Sequence, residues 1–118
     1  MSAVSPSSPI TLSARQFEVL VREAEALFNA ARLDDAEALY ELAAQSAAPD
    51  STVLLRLATI MLATGRLDRA QQLLAQMRRD FPLDQWTPML EGDLAMARLD
   101  PGRAVSLYRE ALERMPGQ

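Results

Sequence analysis

The residue types that most often carry catalysis are scarce in this chain of 118 residues. It contains no His and no Cys, which removes the usual general base, the commonest metal ligand and thiol chemistry. Its small carboxylate cluster, Asp34, Asp35 and Glu37, could attract a cation, but it lacks the ligand spacing of a calcium loop. Acidic residues in a helix's first turn instead complement the helix dipole. We therefore expect no metal site, no cofactor and no catalytic site.

The composition indicates a helical protein with protein partners. Hydrophobic residues make up 49% of the chain and aromatic residues only 5%, with Ala and Leu dominant, which favours helices over sheets. The net charge of −4 disfavours nucleic acid and anionic membranes as partners. No apolar run is long enough to span a bilayer, and the first residues do not resemble a secretory signal. We expect a cytoplasmic location and no membrane insertion.

Three segments, 31–36, 65–70 and 99–104, carry nearly the same turn. In the middle copy Gly65 can end a helix in a left-handed conformation, and Asp68 suits the start of the next helix. Each copy ends in Ala, at positions 36, 70 and 104, where two helices must touch; these positions lie 34 residues apart. The sequence therefore predicts three helix hairpins at a constant period.

Capping and breaking residues place the helices between these turns. Ser13 and Gln16 form a capping-box pattern at the first helix, and residues 1–12 are predicted to be a flexible tail. Prolines at 49, 82 and 116 separate or end the helical patterns. Because of Pro88, the fifth helix either starts late, near Thr87, or is distorted around Trp86.

The repeated positions make the chain resemble the tetratricopeptide repeat family. The matching residues are Ala24, Ala36, Tyr40 and Ala43 in the first repeat, Leu57, Ala58, Ala70 and Pro82 in the second, and Gly92, Ala104, Tyr108, Ala111 and Pro116 in the third. Glu23 and Glu91 stand where the family usually has Leu. The resemblance implies an all-α, right-handed α-solenoid of three hairpins, with repeats at about 15–48, 49–82 and 83–116 in a single domain, 13–118.

In this family the first helix of each repeat lines a concave groove, so the resemblance also implies a binding surface. The expected columns are Val21, Leu55 and Met89; Phe28, Leu62 and Met96; and the more polar Glu25, Thr59 and Asp93, with Trp86 near the edge. Phe28 and Leu62 fit equally well as core between neighbouring repeats. The Lys and Asn residues with which heat-shock co-chaperones of the family clamp a carboxylate are missing from these columns. An amphipathic helix or an extended apolar peptide is the expected ligand.

The last helix suggests a further contact. A solenoid usually finishes with a helix that has a polar outer face, and no such capping helix follows here. Leu107 and Leu112 would then lie toward a repeat that the chain does not supply. We expect a second copy or a permanent partner to cover them, giving a homodimer or an obligate heterodimer.

With about three such repeats, an apolar groove and no cap, the chain resembles the short bacterial tetratricopeptide chaperones of type III secretion systems. The segment 10–16, Ile-Thr-Leu-Ser-Ala-Arg-Gln, is similar to the start of the small YscY-type export chaperones. This resemblance implies a protein that holds a secretion substrate or an export component in its groove. Two alternatives remain: a generic scaffold that mediates assembly or homodimerisation, and an enzyme with an unfamiliar carboxylate site.

Overall fold

The computed structural model describes residues 11–46 and 48–117, which form six α-helices and no β-strand. In chain order these are α1 (Ala14–Asn29), α2 (Leu33–Ser46), α3 (Ser51–Ala63), α4 (Leu67–Asp80), α5 (Thr87–Ala97) and α6 (Pro101–Arg114). The predicted all-α fold of three helix hairpins is therefore confirmed. Most of the predicted flexible tail, residues 1–10, lies outside the described residues.

The chain divides into two compact units, Met1–Asp50 and Ser51–Gln118. In the first unit α1 packs against α2. In the second unit α5 packs against α3, α4 and α6, and α3 also packs against α4. The expectation of a single domain over residues 13–118 stays a prediction.

The three turns predicted from the repeat share one backbone conformation. Ala31, Gly65 and Leu99 all have positive φ, at 60°, 76° and 60°, although only the middle one is glycine. The N–H of the next residue then reaches back to close each helix: Arg32 to the Leu27 carbonyl (2.9 Å), Arg66 to that of Met61 (2.8 Å) and Asp100 to that of Ala95 (2.9 Å). This satisfies carbonyls that a helix end would otherwise leave without a partner.

Side chains of the N-cap residues cap the starts of α1 and α6. Ser13 Oγ accepts from the Gln16 N–H at 3.1 Å, while Gln16 Oε1 accepts from the Ser13 N–H at 2.8 Å, so the predicted capping box is confirmed. Asp100 Oδ1 accepts from the Arg103 N–H at 3.2 Å at the start of α6, where Pro101 takes a position that needs no donor.

Small residues sit where paired helices meet. Ala36, Ala70 and Ala104 are all buried, as expected from their spacing. On the first helix of each hairpin the equivalent buried small residues are Ala24, Ala58 and Gly92. The α3 helix is more deeply buried than one apolar stripe predicts, since Val53 and Ile60 are buried too. The cause is that α3 packs against both α4 and α5.

Replacing Leu99 by Gly should stabilise the protein. Leu99 adopts a left-handed backbone conformation that is unfavourable for leucine and that glycine adopts freely. Because Leu99 is 88% exposed, removing its side chain loses little buried apolar surface. We expect Leu99→Gly to raise the free energy of unfolding by about 1 kcal/mol in urea denaturation. The matched change Gly65→Ala, at the same position of the preceding turn, should lower the free energy of unfolding by a similar amount. If the two changes shift the free energy of unfolding in the same direction, this account is wrong.

Candidate functional site

A groove of about 600 Å³ lies in the second unit. Its lining comes from α3, α5 and the residue before α5: Thr52, Leu55, Arg56, Thr59, Trp86, Met89, Leu90 and Asp93. The four lining residues of α3, at 52, 55, 56 and 59, have counterparts 34 positions later, at 86, 89, 90 and 93. Equivalent positions of two consecutive repeats therefore line the groove. Five of the predicted site residues meet here: Leu55, Thr59, Trp86, Met89 and Asp93.

Trp86 is held at the groove by the start of α5. Asp84 Oδ2 accepts from the backbone N–H groups of Trp86 and Thr87, at 3.0 and 2.8 Å, and from the Thr87 hydroxyl at 2.8 Å. The helix begins at Thr87 with Pro88 next, so the late start is the alternative that the structure shows. Its backbone is fixed in this way, and Trp86 is 43% exposed to solvent.

The α4–α5 loop, which leads to Trp86, is hydrogen-bonded to α6. Arg114 Nη1 donates to the carbonyl oxygens of Pro82 and Asp84, both at 3.0 Å, and Arg114 Nη2 lies 2.7 Å from Glu110 Oε2. Glu110 also accepts from Arg78 Nη1 at 2.8 Å. These bonds connect α4, α6 and the α4–α5 loop through partly buried charges, where ion pairs are screened less by solvent.

Arg78 also explains why Glu91 stands where the family usually has Leu. Arg78 Nε donates to Glu91 Oε1 at 2.9 Å, so the guanidinium binds one carboxylate on α5 and another, Glu110, on α6. Hydrogen bonds from Arg78 lower the pKa of Glu110, and bonds to Glu110 and then Glu91 raise the pKa of Arg78. Glu91 is thus part of a charge network in place of an apolar contact.

The polar column contains carboxylates held by tyrosine. Tyr108 donates its hydroxyl proton to Asp93 Oδ1 at 2.6 Å, and this bond raises the pKa of Tyr108 to about 12. In the first unit Tyr40 donates in the same way to Glu25 Oε1, again 15 residues earlier. In the middle repeat Thr59 bonds instead to the Leu55 carbonyl of its own helix at 2.8 Å.

The other predicted site residues are not part of this groove. Leu62, half-buried, and Met96, half-exposed, lie one helical turn beyond Thr59 and Asp93 and do not line it. The three on α1, all half-buried, belong to the first unit: Val21, Glu25 and Phe28. On α6, Leu107 is half-buried and Leu112 is 51% exposed.

Three groove residues were missed from the sequence: Thr52, Arg56 and Leu90. The repeat period could have found Thr52, because it lies 34 residues before Trp86. Arg56 and Leu90 form a column next to Leu55 and Met89, and the spacing i, i+3, i+4, i+7 places them on the same face.

A second groove, of about 780 Å³, lies in the first unit and involves none of the predicted site residues. Its apolar lining comes from Leu12, Val19 and Leu20, with Leu39 of α2 opposite. Val19 is 60% exposed there, although the sequence pattern gave this position no role.

The described residues show no group of three or more His, Cys, Asp or Glu side chains placed to hold a metal ion. Asp34 and Asp35 lie in the first turn of α2, and Asp35 Oδ2 is 2.6 Å from Arg32 Nη2. Among the described helices, none is both long enough and apolar enough to cross a bilayer.

Comparison with known proteins supports the repeat architecture. The family model described as tetratricopeptide repeat matches residues 27–87, more than half of the chain. The chain belongs to the tetratricopeptide repeat family. No curated protein sequence matches the chain significantly.

Solved structures with a similar fold include PcrH from Pseudomonas aeruginosa. It has a TM-score of 0.83 at 18% identity, covering 92% of this chain and 83% of that one. A second structure, PcrH in complex with the chaperone binding region of PopB, gives the same TM-score and identity and covers 92% of this chain and 88% of that one. At this identity the similarity concerns the fold of this tetratricopeptide repeat protein.

Acid should unfold this repeat protein partly through Glu110. Because the folded-state pKa of Glu110 is lowered, its contribution is complete above the ordinary Glu pKa of about 4.3 and is lost as the pH falls through the lowered value. We expect Glu110→Gln to lower the free energy of unfolding by about 1 kcal/mol at about pH 7, and to flatten its pH dependence below about pH 4.3. Urea denaturation across this range measures both, with the exposed Glu113→Gln on the same helix as control; identical pH profiles for the two variants would refute the role of Glu110.

Gly92 should tolerate no side chain. A Cβ at this position would lie 2.5 Å from Cε1 and 2.7 Å from Cδ1 of Tyr108, so the ring would have to move away from α5. We expect Gly92→Ala to lower the free energy of unfolding by about 1–3 kcal/mol, measured by urea denaturation. Gly102→Ala is the control, since its nearest new contact is Asp100 Oδ1 at 4.0 Å. That variant should be as stable as the wild type or more so, and a harmless Gly92→Ala would contradict the packing argument.

Proposed function

We propose that this protein is a chaperone or adaptor that binds an apolar or amphipathic segment of a partner protein in the groove of its second unit. The observation that carries the proposal is the meeting of Leu55, Met89 and Trp86, on equivalent helical faces, in one groove of about 600 Å³. Leu55 and Met89 are half-buried and Trp86 is 43% exposed, so each keeps apolar surface that a ligand can cover.

The chemistry of the groove suits protein binding. Each Leu-sized anchor that a partner buries there contributes roughly 1.5–3 kcal/mol, so three or four anchors outweigh the several kcal/mol needed to order a flexible segment. Met and Trp add adaptable and large apolar contact area. The similarity in fold to PcrH, which has been crystallised with the chaperone binding region of PopB, supports this kind of use.

The specific class that we propose is a cytoplasmic chaperone of type III secretion, acting without catalysis. Its support is the similarity of residues 10–16 to the YscY-type export chaperones and the fold shared with PcrH. Such a chaperone would keep an aggregation-prone secretion substrate or export component soluble until it is used.

A second candidate is a scaffold that assembles through α6. This helix exposes Val105 and Leu112, at 47% and 51%, and these residues lie seven positions apart on one helical face. They offer a contact for a second copy or a permanent partner, while the half-buried Leu107 lies on a different side of α6 and does not belong to this face.

Co-expression with the proteins encoded by neighbouring genes tests both candidates. A chaperone should give a soluble, co-purifying complex, and Leu55→Glu should weaken it at least about tenfold, because it removes an anchor and places a charge in the groove. The helical circular dichroism signal should not change. Leu83→Glu is the matched control, since Leu83 is 89% exposed and lies outside this groove.

A complex that survives Leu55→Glu would overturn the groove as the binding site. If Leu112→Glu dissociates that complex instead, the result supports a scaffold that assembles through α6. Binding is measured by isothermal titration calorimetry on the purified full chain.

A further inference from the structure

Two of the residues that line the groove of the second unit are charged. Arg56 on α3 is half-buried, while Asp93 on α5 is exposed. The remaining polar lining residues, Thr52 and Thr59, are neutral. Asp93 is therefore the more exposed of the two charged residues beside the apolar anchors.

The Asp93 carboxylate is held in place within its own hairpin. Tyr108 of α6 donates to one oxygen, Oδ1, at 2.6 Å, and the Tyr108 ring rests where Gly92 leaves room for it. A carboxylate oriented in advance loses less conformational entropy when it pairs with a ligand cation. The phenol hydroxyl is a neutral donor, so the pair keeps its net negative charge.

Resting on the function proposed above, we infer that the partner segment carries a Lys or Arg next to its apolar anchors and that Asp93 pairs with this cation. The net charge of −4 on the chain acts in the same direction, because it steers basic segments toward the protein. The first unit repeats the arrangement with Glu25 and Tyr40, so a tyrosine-held carboxylate occurs in two of the three hairpins.

A phage-displayed library of random peptides of about 15 residues, long enough for an extended or helical ligand, tests the inference. The full chain selects the peptides, and those that Leu55→Glu also retains are removed. We expect the remaining peptides to be rich in apolar residues with Lys or Arg enriched beside them. Selection on Asp93→Asn should lose the basic enrichment and keep the apolar one.

One selected peptide, labelled with fluorescein, then gives the size of the effect. Asp93→Asn removes the charge but keeps an oxygen that accepts from Tyr108, so it should weaken binding about two- to fivefold. The peptide with its basic residue changed to Ala should bind wild type and Asp93→Asn equally. Added salt should weaken binding to the wild type more than to Asp93→Asn. The control Tyr108→Phe keeps the carboxylate and should retain most of the preference.

The outcomes separate this inference from the proposed function. If the wild type and Leu55→Glu retain the same peptides, the groove is not a binding site and the proposed function fails. If apolar peptides are selected without basic residues, or with acidic ones that would pair with Arg56, the function stands and the role of Asp93 is wrong. An equal effect of Asp93→Asn on the Lys and Ala peptides would also overturn it.

Discussion

Two helices of a hairpin can pack closely only where the side chains at their contact are small, and buried small residues recur at equivalent positions of the repeat in this protein. Ala36, Ala70 and Ala104 are all buried at the same point of the repeat. In the third hairpin even a methyl group on Gly92 would strike the ring of Tyr108. Because the contact with the paired helix uses one face of α3 and α5, another face of each is left to line the groove.

Much of this architecture could be predicted from the sequence because it depends on period and on local chemistry. The turns at 31, 65 and 99 and the capping box at Ser13 each follow from a few neighbouring residues, and Pro88 leaves two alternatives for α5, of which the structure shows the late start. The placing of Leu55 and Met89 in one groove follows from the 34-residue period together with the family resemblance, which implies that the first helix of each repeat lines a groove. Because the turn segment occurs three times, a prediction that is correct for one turn also holds for the other two.

Interactions between distant side chains could not be predicted in the same way. Arg78 binds Glu110 across 32 positions, and nothing local to either residue indicates this. Glu91 departs from the family pattern, and its partner Arg78 lies 13 positions earlier, on another helix. Likewise, the pattern of polar residues at 25, 59 and 93 predicts a surface column, but it does not show that tyrosines hold the two carboxylates.

Arg114 joins the last turn of α6 to the loop that presents Trp86, through the carbonyl groups of Pro82 and Asp84. Helix ends fray more readily than helix centres, and here fraying would break the two hydrogen bonds from Arg114 to the loop, while the bonds of Asp84 to Trp86 and Thr87 would remain. One rim of the groove is therefore mechanically coupled to the end of the final helix. A molecule that clamps this helix end would stiffen the rim from a distance, without touching the ligand.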